Sequence, residues 1–355
     1  MQLIDAQRIW LEQNAPFVSF RFPEQAQVTT FAGGCFSESK NQDKNPCFVF
    51  APFDERIKSL LFYYPIHVYH GGDDIKVETI GSSNQVKAYP ARKPYIATQA
   101  EYLHQAERLI GEMRDGHLRK IVLSRVTKQP LATADLPTVF ESLCKKYPGA
   151  FVYLLNDGNN QCWIGASPEL LIDYQGGKAR TVSLAGTQKL DIPYLSSLEW
   201  GSKESEEQDM VSEFIKQHLL GFPVENLQIS EPETHIAGHL AHLITSFTWE
   251  SSFNEAIKLK DLLHPTPAIC GLPRNAAFQR IKETELHQRN YYTGYLGLLD
   301  ESARIKLFVN LRCMQIIDNE AYIYVGGGLT ASSSSLAEWE ETQTKAQTLL
   351  SVFPK

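Results

Sequence analysis

What this chain lacks narrows its chemistry first. It has no excess of positive charge: 34 Lys and Arg stand against 41 Asp and Glu, a formal net charge of −7, and no basic block occurs. Nucleic acids and anionic membrane surfaces, which are bound through clustered cations, are therefore not the expected partners. It has no run of 18 apolar residues, so no membrane-spanning helix is expected. The six cysteines, at 35, 47, 144, 162, 270 and 313, form neither a C-x-x-C pair nor a zinc-ribbon spacing. They read as the reduced thiols of a cytoplasmic protein. No G-x-G-x-x-G follows a strand-like segment, which argues against a doubly wound dinucleotide binder. Internal repeats and long linkers are absent as well.

What is present is a chain of 355 residues, 43% hydrophobic and 21% charged, enough to bury a large core. The N-terminal MQLIDAQRIWLEQN carries charges every few residues and reads as an amphipathic helix rather than a leader peptide. Short β-like runs follow it (FVSFRF, CFVFAPF, SLLFYY). A polar amphipathic helix from Gln99 to Arg119 leads into KIVLSRV at 120–126. Beyond it the pattern predicts a helix at 136–146, strands at 150–156 and 162–165, a hairpin at 169–187, and helices near 203–220 and 235–248. Strands outnumber what a regular β–α alternation supplies. The expected fold class is α+β, one large domain of antiparallel or mixed sheets flanked by helices.

Two turns place residues that could carry chemistry. Gly176–Gly177 is a strong two-residue hairpin signal between Leu170–Gln175 and Lys178–Leu184. It sets Glu169 opposite Leu184, beside Ala185–Gly186–Thr187. Near the C-terminus, residues 303–317 and 321–325 are β-rich around an Asp318–Asn319–Glu320 turn. A turn on Asn319–Glu320 puts Arg312 opposite Gly327, and one on Asp318–Asn319 puts it opposite Val325. Either way a guanidinium, whose planar fork suits carboxylates, lies beside a glycine run that could bare backbone N–H groups. A helix starting near Ser335 then aligns Glu338, Glu341, Lys345, Leu349 and Val352, and sharing a stripe with Leu349 turns the charged residues inward.

Three further features stand out. Lys120 opens an apolar strand, where a lysine ordinarily snorkels but in a dry, cation-rich site could serve as a general base. In SKESEEQDMVSEFIKQHLL, Glu204 and Glu207 share a face with Val211, Phe214 and Ile215, unusual for a carboxylate unless it is paired or metal-bound. Glu207 and Glu341 together offer the hard oxygen ligands that suit Mg²⁺. His235-x-x-x-His239-x-x-His242 has the spacing of a helical zinc pair but lacks the H-E-x-x-H glutamate and any Cys ligand, so a substrate contact is the preferred reading.

In order along the chain, KIVLSR, ASPELLI, LAGT, EEQDMV, GHLA, LLHPTPAICGLP, GYLG, NLRC, VGGGL and EWEETQTK resemble the chorismate-utilising enzymes, anthranilate synthase component I-like in fold and most similar to isochorismate synthases. The likeness runs from about Phe31 (FAGGCF, then APFD at 51–54) to the C-terminus and is strongest from Lys120 onward. It implies a weaker-matched N-terminal portion at 1–90 and a chorismate-binding catalytic region at 91–355, within one structural domain. It implies that Lys120 activates a water for attack on ring carbon C2 and that Glu169 protonates the departing C4 hydroxyl. Glu207 and Glu341 match Mg²⁺ ligands, with Glu204 and Glu338 as supporting carboxylates. Gly186, Thr187, Ala268, Arg312, Gly326 and Lys345 match substrate-binding positions, and His239 matches the family's active-site histidine.

Few residues choose among the reactions of such enzymes. Anthranilate synthases lack the lysine at position 120 and draw ammonia from a glutaminase partner; Lys120 argues against that, so no glutaminase subunit is expected. Aminodeoxychorismate synthases carry a lysine where this chain has Ala185. Salicylate synthases share Lys120 and Glu169 and are the competing reading, but HPTPAICGLP is closer to isochorismate synthases and the chain is short for a salicylate synthase. Gln208 replaces a histidine many relatives carry, and the run Ser332–Ser335 replaces a proline-bearing loop. The expectation is a cytoplasmic Mg²⁺-dependent isomerase making isochorismate from chorismate for menaquinone or siderophore synthesis, as a monomer or weak homodimer. A non-catalytic chorismate-binding module is the remote alternative.

Overall fold

The computed structural model describes residues 1–38, 46–58, 60–77, 92–159, 161–189, 199–237, 240–300 and 304–354. Strand Phe151–Asn156 shows the rule by which it is built. Val152 and Leu154 enter one apolar cluster with helices Leu3–Glu12 and Leu136–Lys146, while Phe151, Tyr153 and Leu155 enter a second, aromatic one. Side chains alternate across a strand, and with both faces covered the sequence reads as an unbroken apolar run. Strand Cys47–Ala51 does the same in the other sheet, sending Val49 outward and Phe48 and Phe50 to the shared aromatic core. The result is two face-packed sheets with Phe20, Phe48, Trp163, Tyr324 and Phe308 between them and helices on the outer faces.

The first sheet orders nine strands as Gly271–Leu272, Lys120–Pro130, Glu320–Leu329, Cys313–Ile317, Cys162–Ser167, Phe151–Asn156, Phe17–Arg21, Thr29–Ala32 and His67–His70. The second runs Glu225–Ile229, Leu240–Glu250, Lys178–Lys189, Leu170–Gln175, Arg304–Val309, Tyr295–Asp300, Cys47–Ala51, Leu61–Tyr64 and Cys35–Ser37, with Glu233–Ala237 also paired to Leu240–Glu250. The sheets are antiparallel, and strands from the first 70 residues complete both of them. The α+β expectation holds.

Three local expectations are corrected. The helix read at Gln99–Arg119 ends at Arg114, because Gly116 at φ +82° supplies the left-handed residue that stops it. The helix read near 235–248 is instead strands Glu233–Ala237 and Leu240–Glu250. The β-branched and aromatic alternation of LITSFTW outweighs the histidine spacing, and with no helix the i,i+4 zinc geometry disappears. The β-rich run 303–317 is split: Arg304–Val309 lies in one sheet and Cys313–Ile317 in the other, with residues 310–312 crossing between them.

Candidate active site

The crossover at residues 310–312 bridges the two sheets, and a narrow cavity lies beside it. Its walls come from both sheets and include Glu169, Gly186, Thr187, Glu207, His242, Ala268, Arg312, Gly326, Gly328 and Lys345. Of the residues expected at the site from sequence, nine are thus in place around one space or packed directly on it, the ninth being Glu341 through its bond to Lys345. Lys120 sits behind the wall, its Cε 3.3 Å from where a side chain on Gly328 would begin. His239 lies outside the described residues. A larger open groove of about 820 Å³ runs along the Ser202–Leu220 helix, lined by Glu206, Asp209 and Glu213, and contains none of the expected residues.

At one end of the cavity Lys120 is fully buried at the start of its strand. Its Nζ lies 2.8 Å from Glu207 Oε1, an ion pair without the alignment of a directed hydrogen bond. The expectation of a cation-rich setting for Lys120 is thereby corrected, since the charge it touches is a carboxylate. Burial pushes the Glu207 carboxyl up, but Lys120, Lys345 and Lys203 outweigh it and hold the group below its ordinary range. Gln208 fixes the helical turn that presents Glu207: its Nε2 donates to Ser183 Oγ at 2.8 Å and Thr245 Oγ1 at 3.1 Å on two neighbouring strands. Glu204, one turn before Glu207, carries a carboxylate oxygen over Gly201 and packs its backbone on Gly186.

Gly326–Gly328 continue strand Glu320–Leu329 and pair with Ser124, Leu123 and Val122. Their use is space. A Cβ on Gly328 would stand 2.4 Å from Glu207 Oε1, and one on Gly327 would stand 2.9 Å from Glu338 Oε2. The carbonyl of Gly326 does face the site, accepting from Lys345 Nζ at 3.1 Å. The turn preceding them is Asp318–Asn319, both at positive φ, with Cys313 opposite Tyr324. Of the two registers open from sequence, this is the one that faces Arg312 toward Val325. Arg312 itself has φ +48°, an uncommon conformation for a branched-free long side chain, held by the crossover on either side.

Helix Ser335–Leu350 begins where expected and turns its acidic face inward. Arg125 stacks over Trp339 at 3.9 Å and donates to Thr342 Oγ1 at 2.8 Å, locking the helix against the Lys120–Pro130 strand. Glu341 pairs with Lys345 at 2.5 Å. Glu338 is buried, bound to Lys203 at 2.7 Å and Ser333 Oγ at 2.8 Å, so the serine run supplies a hydrogen bond to this carboxylate. Its second oxygen has no partner, and burial together with the nearby Glu341 raises its carboxyl.

Across the cavity, Glu169 follows Pro168 at the mouth of its hairpin, whose register around Gly176–Gly177 is as expected, with Gln175 opposite Lys178. The carboxyl is 4% exposed, and burial pushes it up to about 8 against the pull of Lys120, Arg312 and Lys345. At neutral pH it therefore keeps its proton. Beside it, Gly186 is the extra residue of a bulge: Ala185 pairs with Leu243 and Thr187 with His242, and Gly186 takes φ +66° between them. Its carbonyl meets His242 Nδ1 at 3.1 Å.

Sequence reasoning left Tyr292 and Thr293 unassigned although they line the cavity, and it named His242, which lines it too, only as one of three histidines of which one would meet the substrate. It also missed Arg289, a buried residue that pairs with Glu285 at 2.7 Å and donates to the carbonyls of Val122 and Ile269, both in the cavity wall. Only the pairing of distant strands reveals these neighbours; no local period encodes them. Among the described residues no three His, Cys, Asp or Glu converge as a ready metal cage, because Lys120, Lys203 and Lys345 are interleaved with the glutamates.

A buried proton donor, a lysine, a guanidinium and paired carboxylates around one space define an acid–base site for a small polyanion. The family model described as chorismate binding enzyme matches residues 75–354, and the chain belongs to that family. More particularly, it is 28% identical over 328 residues to the isochorismate synthase EntC of Escherichia coli (strain K12), covering 90% of this chain and 84% of that one. The fold matches the menaquinone-specific isochorismate synthase MenF from Escherichia coli with a TM-score of 0.81 at 19% identity, over 99% and 91% of the two chains. It also matches anthranilate synthase component I from Streptococcus pneumoniae TIGR4, TM-score 0.68 at 17% identity, over 94% and 92%. No helix among the described residues is long and apolar enough to cross a membrane.

Proposed function

We propose that the protein is an isochorismate synthase, adding water at ring carbon C2 of chorismate while the C4 hydroxyl leaves. The observation that carries the reading is Glu169, a carboxyl held to about 8 in the wall of a cavity whose cations suit a dicarboxylate. A departing hydroxyl needs a proton donor, and Glu169 is protonated at neutral pH without being exposed to bulk water. Lys120 is the base for the incoming water; to act it must leave its pair with Glu207. Arg312 and Lys345 hold and orient the two substrate carboxylates, a contribution to positioning rather than to bond-making. The cavity holds about 80 Å³, below the roughly 300 Å³ at which ligand sites begin. An entering carboxylate would make room by competing with Glu341 for Lys345.

The residues present fit a magnesium ion. Glu207 and Glu341 are hard oxygen donors held by replaceable lysine pairs, and the neighbouring Glu338 has a buried oxygen with no partner. Mg²⁺ takes one or two carboxylates and completes its shell with water and substrate oxygens. When bound by Glu207 and Glu341 it would supply Lewis-acid charge at the substrate's ring carboxylate. The product would enter menaquinone or catechol siderophore synthesis. Incubation with chorismate and Mg²⁺ followed by chromatography tests the reading. Isochorismate as the main product is expected; salicylate with pyruvate would move the assignment to a salicylate synthase, and ammonia-dependent anthranilate would overturn it.

A further inference from the structure

Resting on the reaction just proposed, we infer that Glu285 and Arg289 are positioning residues: their buried ion pair stands in for a stretch of strand and fixes the Lys120 strand against the segment that carries Ala268. Gly271–Leu272 pairs with Lys120 and Ile121, and a further backbone bond runs from Val122 N to the Cys270 carbonyl at 2.8 Å. The two segments then part, and side chains take over the edge. Arg289 Nη2 donates to the Val122 carbonyl at 2.7 Å, and its Nη1 donates to the Ile269 carbonyl at 2.7 Å and to Thr293 Oγ1 at 3.2 Å. Glu285 Oε1 accepts from Ser124 N at 2.8 Å and from Ser124 Oγ at 2.7 Å. Nε and Nη2 of Arg289 close the pair on the Glu285 carboxylate at 2.9 and 2.7 Å. All five guanidinium hydrogens are thereby used.

The pair acts from behind the cavity wall. Both side chains are 2% exposed, while the residues they hold, Val122, Ile269 and Thr293, line the cavity with Ala268. On its other edge the same strand pairs Val122 with Gly328 and Ser124 with Gly326. The clamp therefore sets where Lys120, the glycines and Ala268 stand relative to one another. Burial pushes the Glu285 carboxyl up, but Arg289 outweighs it, and both groups stay charged. Replacing two buried charges together by uncharged groups of similar volume is often neutral or stabilising. Stability alone does not call for these ions. Holding two carbonyls and an amide of separate segments in one fixed geometry does.

The test uses Arg289→Lys, which keeps the charge but replaces the fork with a single nitrogen, and the double variant Glu285→Gln/Arg289→Met, which strands no buried charge. Each is compared with wild type by kcat and KM for chorismate with Mg²⁺, and by amide hydrogen exchange. In both, kcat should fall about 100-fold as the groups around the substrate shift, with KM within about 3-fold because Arg312 and Lys345 lie on other elements. Amides in 120–124 and 268–271 should exchange about 10-fold faster or more, while strand Phe151–Asn156 keeps its wild-type rates. A folded variant with wild-type kcat would overturn the role, as would a KM that rises as much as kcat falls. Exchange that is unchanged, or faster by the same factor everywhere, would overturn it too. If one variant fails to fold, the other carries the test. Wild-type protein that leaves chorismate unchanged would overturn the underlying reaction, and the exchange comparison would still decide the clamp.

Discussion

Replacing Glu169 with Gln removes a carboxyl whose proton is central to the proposed chemistry, and the structure sets the size of the effect on stability. The group's ordinary value is 4.5, and burial raises it to about 8 in the folded protein. A carboxyl raised on folding stabilises the native state most below the unfolded value, and that stability drains away as pH rises from 4.5 toward 8. At pH 7 the wild type has forfeited about 3 kcal/mol, at pH 5 about 1 kcal/mol and at pH 9 about 5 kcal/mol. A glutamine does not titrate and forfeits none of it. With an unfolding entropy of roughly 2 cal/mol/K per residue over 355 residues, Glu169→Gln should gain about 5–6 °C in Tm between pH 5 and pH 9 relative to wild type. Calorimetric scans of both proteins at those pH values measure this difference, and every other titrating group cancels in the comparison. The same proton predicts that wild-type kcat falls as pH rises through about 8, while the variant makes no isochorismate at any pH. A Tm difference independent of pH would refute the claim that this carboxyl is held protonated.

Lys120→Ala should abolish turnover and destabilise the fold by about 1–3 kcal/mol, because Glu207 loses the partner that compensates its burial; adding Glu207→Gln should recover most of the stability and none of the activity, read by melting and product chromatography. Gly328→Ala would bring a methyl to 2.4 Å from Glu207 Oε1. Overpacking should cost about 1–3 kcal/mol and lower kcat at least tenfold by displacing that carboxylate, and an alanine variant with wild-type activity would show that Glu207 is not held in place by the glycine. Glu341→Ala should flatten the dependence of activity on added Mg²⁺, and an unchanged Mg²⁺ titration would remove Glu341 from the metal site.

Much of the site was legible because turns and helical stripes are local. The Gly176–Gly177 turn sets its hairpin register by itself, and the stripe of Glu338, Glu341, Lys345 and Leu349 turns the last helix inward. What the sequence hid were consequences of tertiary pairing. The glycine run read as bared N–H groups beside Arg312, while its packing use, a strand thinned to admit two glutamates, depends on helices far along the chain. The residues around the histidine triplet looked helical because three histidines fell near a helical period, while the alternation of their apolar neighbours decided for strands. The partner of Lys120 was invisible for the same reason: Glu207 arrives on a helix far along the chain, so the expected cationic setting became an ion pair. The crossover at residues 310–312, which puts Arg312 between two sheets, interrupts an otherwise continuous β-rich run with no proline or glycine to mark it.

The most direct measurement is the origin of the product's new hydroxyl oxygen. With Lys120 activating water and Glu169 expelling the C4 hydroxyl, chorismate converted in oxygen-18 water should give isochorismate carrying one solvent oxygen, at C2, by mass spectrometry. Isochorismate formed without solvent oxygen would mean that the original hydroxyl migrates, and would contradict the assignment of Lys120 and Glu169 as base and acid.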